Sequence, residues 1–480
     1  MPTEPPRQDA ELFRRQAHEI VDWMADYLIQ VGNKPVQPTA SPGAVRAALP
    51  ASPPAGAESF ERIMEDFERI IVPGLTHWGH PGFFAYFPAN NSPPSILAEM
   101  LTAAIGAQCM SWNTSPAATE LEQVTMEWLR QMLGLPQRFT GVIQDTASTA
   151  TLVSMITGRD EALSKGAKAQ RRKDATVDLL TAYTTLEANH SVPKGMRLAG
   201  FRPEHIRMIE TGPENAMLPN ALQMAIANDR AAGLVPAAVV ATVGTTGSTA
   251  IDPVPAIADI CRREAIWLHV DAAWAGSAAI LPEMRWIFDG VDQADSVVFN
   301  PHKWLLVNFD CSVYFVRDRG ALLRSFGASA EILKTAHDDR VVNYRDWGIQ
   351  LGRRFRALKL WFVIRSYGVE GLQAMIRHHI ALGQQLAEWI GSDPVFEMVA
   401  PPLLGLVVFR YRGRGEEGEL DRLNQELQDR VNATGRIFIT GTRLNGRYVL
   451  RVALGHLTTT EDDVRRAWDT IRQEATELSR

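Results

Sequence analysis

Apolar side chains near the N-terminus recur at steps of three and four residues, at Leu12, Phe13, Ile20, Val21, Met24 and Leu28. This spacing puts them on one stripe and predicts an amphipathic helix over residues 8–32. Such a helix buries its stripe either on the body of its own chain or on a partner subunit. The next stretch, to about residue 60, is rich in Pro, Ala, Gly and Ser, which is typical of a linker or a wrapping arm.

From about residue 140, short apolar runs alternate with helical patterns. The candidate strands are RFTGVIQD, TVDLLTAYTT, PAAVVATVG, AIWLHVDAA, DSVVFN and CSVYFVRD. The alternation predicts an α/β fold with a mostly parallel central sheet and helices on both faces. The helix in DPVPAIADICRREA is expected to have Asp252 as its N-cap and Pro253 at its first position. Ligands of such sheets bind at the carboxyl ends of the strands.

The pattern changes again after about residue 360. The runs GLVVFRYR and RIFITGTRLNGRYVLRVAL are rich in strand-forming residues, and Asn445-Gly446 between two of them is a strong hairpin signal. A closing helix is expected from Glu461 to Leu478. The chain is therefore predicted to have a helical and wrapping segment over 1–85, a large domain over 86–360 and a small α+β domain over 361–480.

Composition narrows the class of protein. The 480 residues are 46% hydrophobic and 22% charged with a net charge of −6, which is ordinary for a globular protein and gives no electrostatic case for nucleic acid or an anionic membrane. The three cysteines, Cys109, Cys261 and Cys311, fit neither a zinc site nor a disulfide framework, so no metal is expected. We find no signal peptide and no membrane span, which predicts a cytoplasmic protein.

Lys303 lies in the almost entirely apolar segment FNPHKWLLVNF. Burying a lysine there is costly, because its charge leaves water. One interpretation is that the side chain reaches the surface from a strand end. The other is that burial lowers its pKa, so that the neutral amine acts as a nucleophile.

Asp271 ends the candidate strand WLHVD, 32 positions before Lys303. By itself it could be a helix cap or a turn residue. A lysine and an acid at two strand ends, however, suggest pyridoxal phosphate, which needs a lysine for its aldehyde and a carboxylate for its pyridine nitrogen. The segment DTASTATL, with Thr146 and Ser148, opens a helix and could bind the phosphate or simply cap the helix.

These motifs together resemble a known family. NPHKW, HVDAAWAG, IQDTAST, LGRRFRALKLWF and HWGHPGFFAYFP are similar to the group II pyridoxal-phosphate decarboxylases, and most similar to the aromatic L-amino acid decarboxylases and aromatic aldehyde synthases. The resemblance implies a fold-type I enzyme, like aspartate aminotransferase. It also implies a homodimer with the active site at the subunit interface and an aromatic amino acid as the substrate.

The resemblance also implies roles for single residues. Lys303 is the lysine that carries the cofactor, and Asp271 pairs with its pyridine nitrogen. The other matches are Ala147, Ser148, Asn300 and His302 around the phosphate, Thr246 and Ala273 at the ring, and Trp78, Tyr86, Phe87, Pro88 and Ala89 in the substrate pocket. Gln108 and Met110 are expected to face that pocket from the other subunit, and Gln108 could serve a phenol, an indole N–H or a structural hydrogen bond.

Two positions depart from the pattern of the decarboxylases. Asn189 lies where the family has a histidine on the cofactor ring, with His190 one step on, and Ile332 lies where a mobile loop has a proton-donating tyrosine; Tyr344 fits a separate position. Neither Asn189 nor Ile332 can supply a proton, so the quinonoid intermediate has time to meet dioxygen. The hypothesis is oxidation to an arylacetaldehyde. The alternatives are simple decarboxylation to an arylalkylamine, with water, His190 or another loop residue as the donor, and a catalytically idle cofactor-binding protein.

Overall fold

Two β-sheets organise the chain, and the candidate site lies at one edge of the larger sheet. The computed structural model describes residues 9–168, 176–327 and 340–478. The strands of the larger sheet are β1 Thr140–Gln144, β2 Leu180–Thr185, β3 Ile206–Ile209, β4 Val235–Thr242, β5 Trp267–Asp271, β6 Ser296–Phe299 and β7 Ser312–Val316.

The strand order of the larger sheet is β1-β7-β6-β5-β4-β2-β3. Strands β6, β5, β4, β2 and β3 are parallel to one another, whereas β7 is antiparallel to both of its neighbours. Every residue of β2, β5, β6 and β7 is buried, as expected for strands covered on both faces by helices. The predicted mostly parallel α/β fold is confirmed.

Helices connect and cover these strands. They are α4 Pro93–Ile105, α5 Pro116–Met132, α6 Ala147–Lys168, α7 Ser191–Leu198, α8 Pro219–Ala231, α9 Val254–Glu264, α10 Pro301–Trp304 and α11 Arg319–Phe326. Helix α9 has its buried residues at three- and four-residue steps, including Val254, Ile257 and Cys261, because only one stripe faces the sheet.

The predicted start of α9 is wrong. The helix begins at Val254, and Pro253 occupies the N-cap position. The Asp252 carboxylate instead accepts hydrogen bonds from the backbone N–H groups of Met217 and Thr242, each at 2.7 Å. It therefore ties the end of β4 to another part of the chain and does not cap the helix.

The smaller sheet is antiparallel, with the order β10-β11-β9-β8. Its elements are α12 Arg356–Ser392, β8 Phe396–Met398, β9 Leu406–Tyr411, α13 Glu417–Ala433, β10 Thr440–Leu444, β11 Arg447–Ala453 and α14 Glu461–Leu478. Asn445 and Gly446 join β10 to β11 with φ of 50° and 81°, so the predicted tight hairpin is confirmed. The domain boundary expected at residue 360 falls within α12, and the division into domains stays a prediction.

The N-terminal helix α1, Ala10–Gln30, is followed by the short helices α2, Ala44–Ala48, and α3, Phe60–Asp66. Asp9 caps α1 by accepting the N–H groups of Glu11 and Leu12. The C-terminal half of α1 packs on its own chain, since Trp23 contacts Phe67 at a ring distance of 5.1 Å. The other half leaves its stripe uncovered, and Phe13 is 68% exposed.

Two further findings concern the described ranges. None of their helices has the length and apolar character needed to cross a membrane, and they contain no group of three or more His, Cys, Asp and Glu side chains arranged for a metal ion. Cys109, Cys261 and Cys311 are all buried and free of disulfides.

Candidate active site

A cavity of about 220 Å³ lies at the carboxyl ends of the parallel strands. Eleven of the residues predicted from the sequence line it: Phe87, Thr146, Ala147, Ser148, Asn189, Thr246, Asp271, Ala273, Asn300, His302 and Lys303. The sheet brings them together because β4, β5 and β6 are parallel neighbours whose last residues meet at one edge.

Lys303 belongs to the one-turn helix α10, directly after β6. The carbonyl of Lys303 accepts a hydrogen bond from the Asn90 side-chain amide at 2.6 Å, which fixes the backbone below the amine. Burial lowers the pKa of the Lys303 amine, and the carboxylate of Asp271 opposes that shift. The amine therefore loses its proton more easily than an exposed lysine, as a nucleophile requires.

Asp271 is the last residue of β5 and is only 4% exposed. One carboxylate oxygen accepts the backbone N–H of Ala273 at 3.0 Å, which holds the side chain at the strand end. Burial raises the pKa of this carboxyl, while Lys303 acts in the opposite direction. The two groups thus form one coupled pair across the cavity.

His302 lines the cavity beside Lys303 and is held in one tautomer. Its Nδ1 accepts the backbone N–H of Cys311 at 3.0 Å, so in the neutral ring the proton is on Nε2. Burial and the neighbouring Lys303 charge lower the pKa of His302 to about 3. The imidazole is therefore neutral at physiological pH and offers one N–H donor.

Helix α6 begins at the cavity with Ala147 and Ser148. The first N–H groups of a helix have no partner within the helix, and the helix dipole favours an anion there. Asn300, from the end of β6, uses its side-chain oxygen to accept the Ser312 hydroxyl at 2.6 Å. Its amide NH2 is the donating end, so Asn300 adds donors to the same edge of the cavity.

Asn189 is in the cavity and its side chain is held at both ends. The amide nitrogen donates to the Thr246 hydroxyl at 3.3 Å, and the amide oxygen accepts the backbone N–H of Ser191 at 3.0 Å. The second bond caps the start of α7. His190 follows as the first helical turn begins, but its side chain is exposed and does not line the cavity.

Two further tyrosine-related positions come from the sequence, Ile332 and Tyr344. Ile332 lies outside the described residues. Tyr344 is buried away from the cavity, with the Arg353 guanidinium 4.7 Å from its ring centroid. Burial raises the pKa of the Tyr344 phenol.

The predicted substrate pocket is only partly assembled within one chain. Phe87 lines the cavity, whereas Trp78 and Tyr86 stack on each other beside it with ring centroids 5.8 Å apart. Pro88 and Ala89 follow in the same segment but do not contribute to the cavity wall.

Gln108 and Met110 also lie away from the cavity of their own chain. The Gln108 side-chain oxygen accepts the backbone N–H of Arg353 at 2.7 Å, and the Met110 carbonyl accepts the backbone N–H of Arg345 at 2.9 Å. Gln108 thus makes a structural hydrogen bond with its oxygen.

Comparisons with known proteins agree with this geometry. A family model, the pyridoxal-dependent decarboxylase conserved domain, matches residues 42–412. The chain belongs to this family. Aromatic-L-amino-acid decarboxylase from Mus musculus is 43% identical to the chain over 484 residues, covering 98% of the chain and 99% of the relative.

Other relatives within this decarboxylase family carry names for a different product. Phenylacetaldehyde synthase from Arabidopsis thaliana is 42% identical over 481 residues, covering 98% of the chain and 97% of the relative. A crystal structure of Oryza sativa TDC with PLP and tryptamine is similar with a TM-score of 0.96 and 40% identity, covering 99% of the chain and all of that structure. The chain is therefore an enzyme of the pyridoxal-phosphate-dependent aromatic amino acid decarboxylase family, and it has the α/β fold of the solved decarboxylases.

The cavity of this decarboxylase fits pyridoxal phosphate, the cofactor of the family. Its wall offers an amine at Lys303, a carboxylate at Asp271 and N–H groups at the start of α6, which match the aldehyde, the ring nitrogen and the phosphate of that cofactor. The Thr242 hydroxyl, beside Asp271 on the neighbouring strand, is buried and has no hydrogen-bond partner among the described residues. A polar ligand in the cavity is the natural partner for such a group.

Sequence reasoning missed several residues that line or border the cavity. Ser191, Thr242, Gly244 and Trp274 line it. Trp274 lies inside the recognised HVDAAWAG motif, and its ring stacks between Phe87 and Trp304 with centroids 4.3 Å from each. Phe309 is 61% exposed and contacts the His302 ring at 4.9 Å. No periodicity marks these side chains, because their place is set by tertiary packing.

Proposed function

We propose that this enzyme decarboxylates an aromatic L-amino acid and that dioxygen then oxidises the former α-carbon of the substrate. The overall reaction consumes the amino acid, one dioxygen and one water. It releases an arylacetaldehyde, carbon dioxide, ammonia and hydrogen peroxide, so that atoms and electrons balance. The family relationship supports decarboxylation of an aromatic substrate, and relatives bear names for both the amine and the aldehyde product.

Pyridoxal phosphate, when bound, supplies an aldehyde for the substrate amine and a ring that accepts the electrons of the broken carbon–carboxylate bond. Lys303 is the proposed amine for that aldehyde, since burial favours its neutral form. Asp271 is the proposed partner of the ring nitrogen, because its buried carboxylate stabilises positive charge at that place. Helix α6 and Asn300 orient the phosphate.

Asn189 is the observation that carries the oxidative proposal. The sequence match puts it where the family has a histidine, it lines the cavity, and a carboxamide does not act as a general acid near neutral pH. Thr246 and the Ser191 N–H bind its side chain, while His190 is exposed and does not line the cavity. General acids typically contribute about 10²–10⁴-fold to a rate, so without one the electron-rich carbon persists long enough to react with dioxygen.

His302 favours the second candidate, simple decarboxylation to an arylalkylamine. Its ring lines the cavity and its Nε2 carries the proton when the ring is neutral. If this N–H reached the substrate carbon, it would protonate that carbon directly and no dioxygen would be used.

The active form in this proposal is a homodimer with the site at the interface. Two features support it: the uncovered stripe of α1, with Phe13 68% exposed, and the position of Gln108 and Met110 away from their own cavity. A partner subunit would cover the stripe and receive these two side chains at its cavity. Cytoplasmic location and the absence of nucleic-acid or membrane partners stay predictions.

The proposal is tested by supplying each aromatic amino acid, in air, to purified enzyme loaded with pyridoxal phosphate. Amine, aldehyde and hydrogen peroxide are then quantified together. We expect aldehyde and peroxide in equal amounts with little amine. Amine without peroxide would instead establish simple decarboxylation and show that another group, such as His302, donates the proton.

A further inference from the structure

Arg451 is a buried arginine in the centre of the small sheet, close to the cavity. It lies on β11, paired with Thr440 on β10, and is only 3% exposed. Among the described residues no carboxylate forms an ion pair with it, and its Nε has no hydrogen-bond partner. Burying an unpaired charge is costly, so the position of Arg451 needs a reason other than stability.

The Arg451 side chain contacts Thr440 and the segment of residues 82–89, which we call the strap. Its Nη1 donates to the Thr440 hydroxyl at 2.9 Å, and its Nη2 donates to the carbonyl of Tyr86 at 3.4 Å. The Thr440 hydroxyl also accepts the backbone N–H of Tyr86 at 3.4 Å. Arg451 and Thr440 together therefore hold both backbone groups of Tyr86.

Tyr86 needs such support because its backbone has a φ of 53°. A bulky residue in this left-handed region is strained and persists only where its surroundings impose the conformation. The strap is otherwise attached upstream of Tyr86, where the Phe84 carbonyl accepts the Ala453 N–H and the Phe84 N–H donates to the Phe438 carbonyl, each at 2.9 Å. Arg451 thus fixes the point at which the strap turns toward the cavity.

The next strap residue, Phe87, forms part of the cavity wall. The Arg451 guanidinium lies 5.5 Å from the Phe87 ring centroid, and Lys303 Nζ lies 5.4 Å from the same centroid. Phe87 stacks on Trp274, which also lines the cavity. A shift of the strap would therefore move the aromatic wall relative to Lys303.

We propose that Arg451 is a positioning residue that, with Thr440, holds Tyr86 and Phe87 at the cavity and thereby sets the size of the aromatic side chain that the enzyme accepts. The proposal rests on the proposed function, because it takes the strap to be the substrate wall. Arg451 acts through the strap and does not touch the substrate.

The test compares Arg451→Met and Thr440→Val with the double variant and with Arg410→Met. Arg410 is a matched control, because it is 1% exposed on the adjacent strand β9 but pairs with Glu417 and Asp421. Loss of a charged hydrogen bond predicts a rise in KM of about tenfold in the two strap variants, with kcat near that of the unchanged enzyme. Their kcat/KM ratio for one-ring against two-ring substrates shifts toward the larger substrate.

A second readout needs neither cofactor nor turnover. Hydrogen exchange of the backbone amides of residues 82–89 should accelerate in Arg451→Met and Thr440→Val and stay unchanged in Arg410→Met. The double variant should resemble the stronger single variant, because both residues act on Tyr86.

Three outcomes overturn the proposal. If Arg451→Met left substrate selectivity and the hydrogen exchange of residues 82–89 unchanged, the strap would not depend on Arg451. The same conclusion would follow if Arg410→Met changed both quantities as much as Arg451→Met does. Weaker binding of amino acids with unchanged binding of the matching amines would instead place Arg451 at the substrate carboxylate. An unchanged enzyme that turns over no aromatic amino acid would sink the proposed function, and the exchange experiment would still decide whether Arg451 holds the strap.

Discussion

Ten residues predicted for the cofactor all line the cavity within one chain, whereas Phe87 is the one residue among seven predicted for the substrate that does so. The first set, from Thr146 to Lys303, defines the cofactor end; the second, from Trp78 to Met110, defines the substrate end. The cofactor end lies at the carboxyl ends of parallel strands, and the register of these strands determines which side chains are neighbours. The substrate end consists of connecting segments, whose positions depend on packing against the small sheet and, in the proposed homodimer, on a second subunit.

This contrast indicates where a substitution acts. At the cofactor end, Asp271 and Lys303 are buried, and burial raises the pKa of the first and lowers that of the second. At the substrate end, Tyr86 is 52% exposed and its backbone is held by two side chains of the small sheet. Changes at the first end are expected to abolish chemistry, and changes at the second to alter substrate choice.

The largest effect is expected for Lys303→Ala. Loss of the amine that is proposed to carry the cofactor should lower kcat by roughly 10³-fold or more, and the visible absorbance of the bound cofactor should change. Lys359→Arg is the control, since Lys359 is also buried, at 2% exposure, but pairs with Glu99 at 2.9 Å. Equal losses of activity in both variants would contradict the assigned role of Lys303.

A large pH effect on stability is expected from Asp252, below the cofactor end. Burial raises the pKa of its carboxyl from 3.8 to about 6, against the backbone N–H groups of Thr242 and Met217. The folded state then binds the proton more tightly than the unfolded state, so stability falls as pH rises between these two values. The fall amounts to about 3 kcal/mol at 1.36 kcal/mol per pKa unit.

Denaturant unfolding from about pH 4 to about pH 6 measures this effect as the difference between the unchanged protein and Asp252→Asn, which removes the titration. A difference that stays constant over this range would show that Asp252 has the same pKa in the folded and unfolded states, with no effect of burial. A difference that grows in favour of the unchanged protein as pH rises would reverse the sign and contradict the burial argument.

A smaller effect concerns the products. Asn189→His introduces a titratable ring at the cofactor end and should raise the ratio of amine to aldehyde by about tenfold or more, because an added general acid accelerates protonation. His190→Ala is the control, since His190 is exposed and does not line the cavity. A product ratio that changes with His190 and not with Asn189 would identify His190 as the proton donor.

The smallest effect is expected for Phe13→Asp on α1. A charge in the exposed apolar stripe should weaken the proposed dimer, by about tenfold in its dissociation constant if the ring is buried there. Sedimentation at several protein concentrations measures the change, with the exposed Glu19→Gln as the control. A monomer in both the variant and the unchanged chain would rule out a site at a subunit interface.

Most of the fold follows from local patterns in the sequence. Strands β5 and β6, which end at Asp271 and Phe299, are mostly apolar runs, and Asn445-Gly446 is typical of a tight hairpin turn. Strand β3 is not predicted because it is a short edge strand with one buried residue in four, so it lacks an apolar run. The prediction for Asp252 is wrong because Asp-Pro before a helix is a common cap, and its long-range partners leave no mark in the sequence.

The candidate site divides in the same way. Lys303 and Asp271 can be paired from the sequence, because chemistry that needs a lysine and an acid at two strand ends is rare. The stacking of Trp274 between Phe87 and Trp304, and the hold of Arg451 on Tyr86, join segments far apart in the chain. Such contacts depend on how segments distant in the sequence pack together, which no local pattern encodes.

The oxidative proposal is decided by the ratio of dioxygen consumed to carbon dioxide released by the enzyme loaded with pyridoxal phosphate. An oxygen electrode and trapped carbon dioxide give both quantities in a single reaction with an aromatic amino acid. We predict one dioxygen for each carbon dioxide, because Asn189 leaves the substrate carbon without a proton donor. Carbon dioxide released with no uptake of dioxygen would contradict the proposal and make the enzyme a simple decarboxylase.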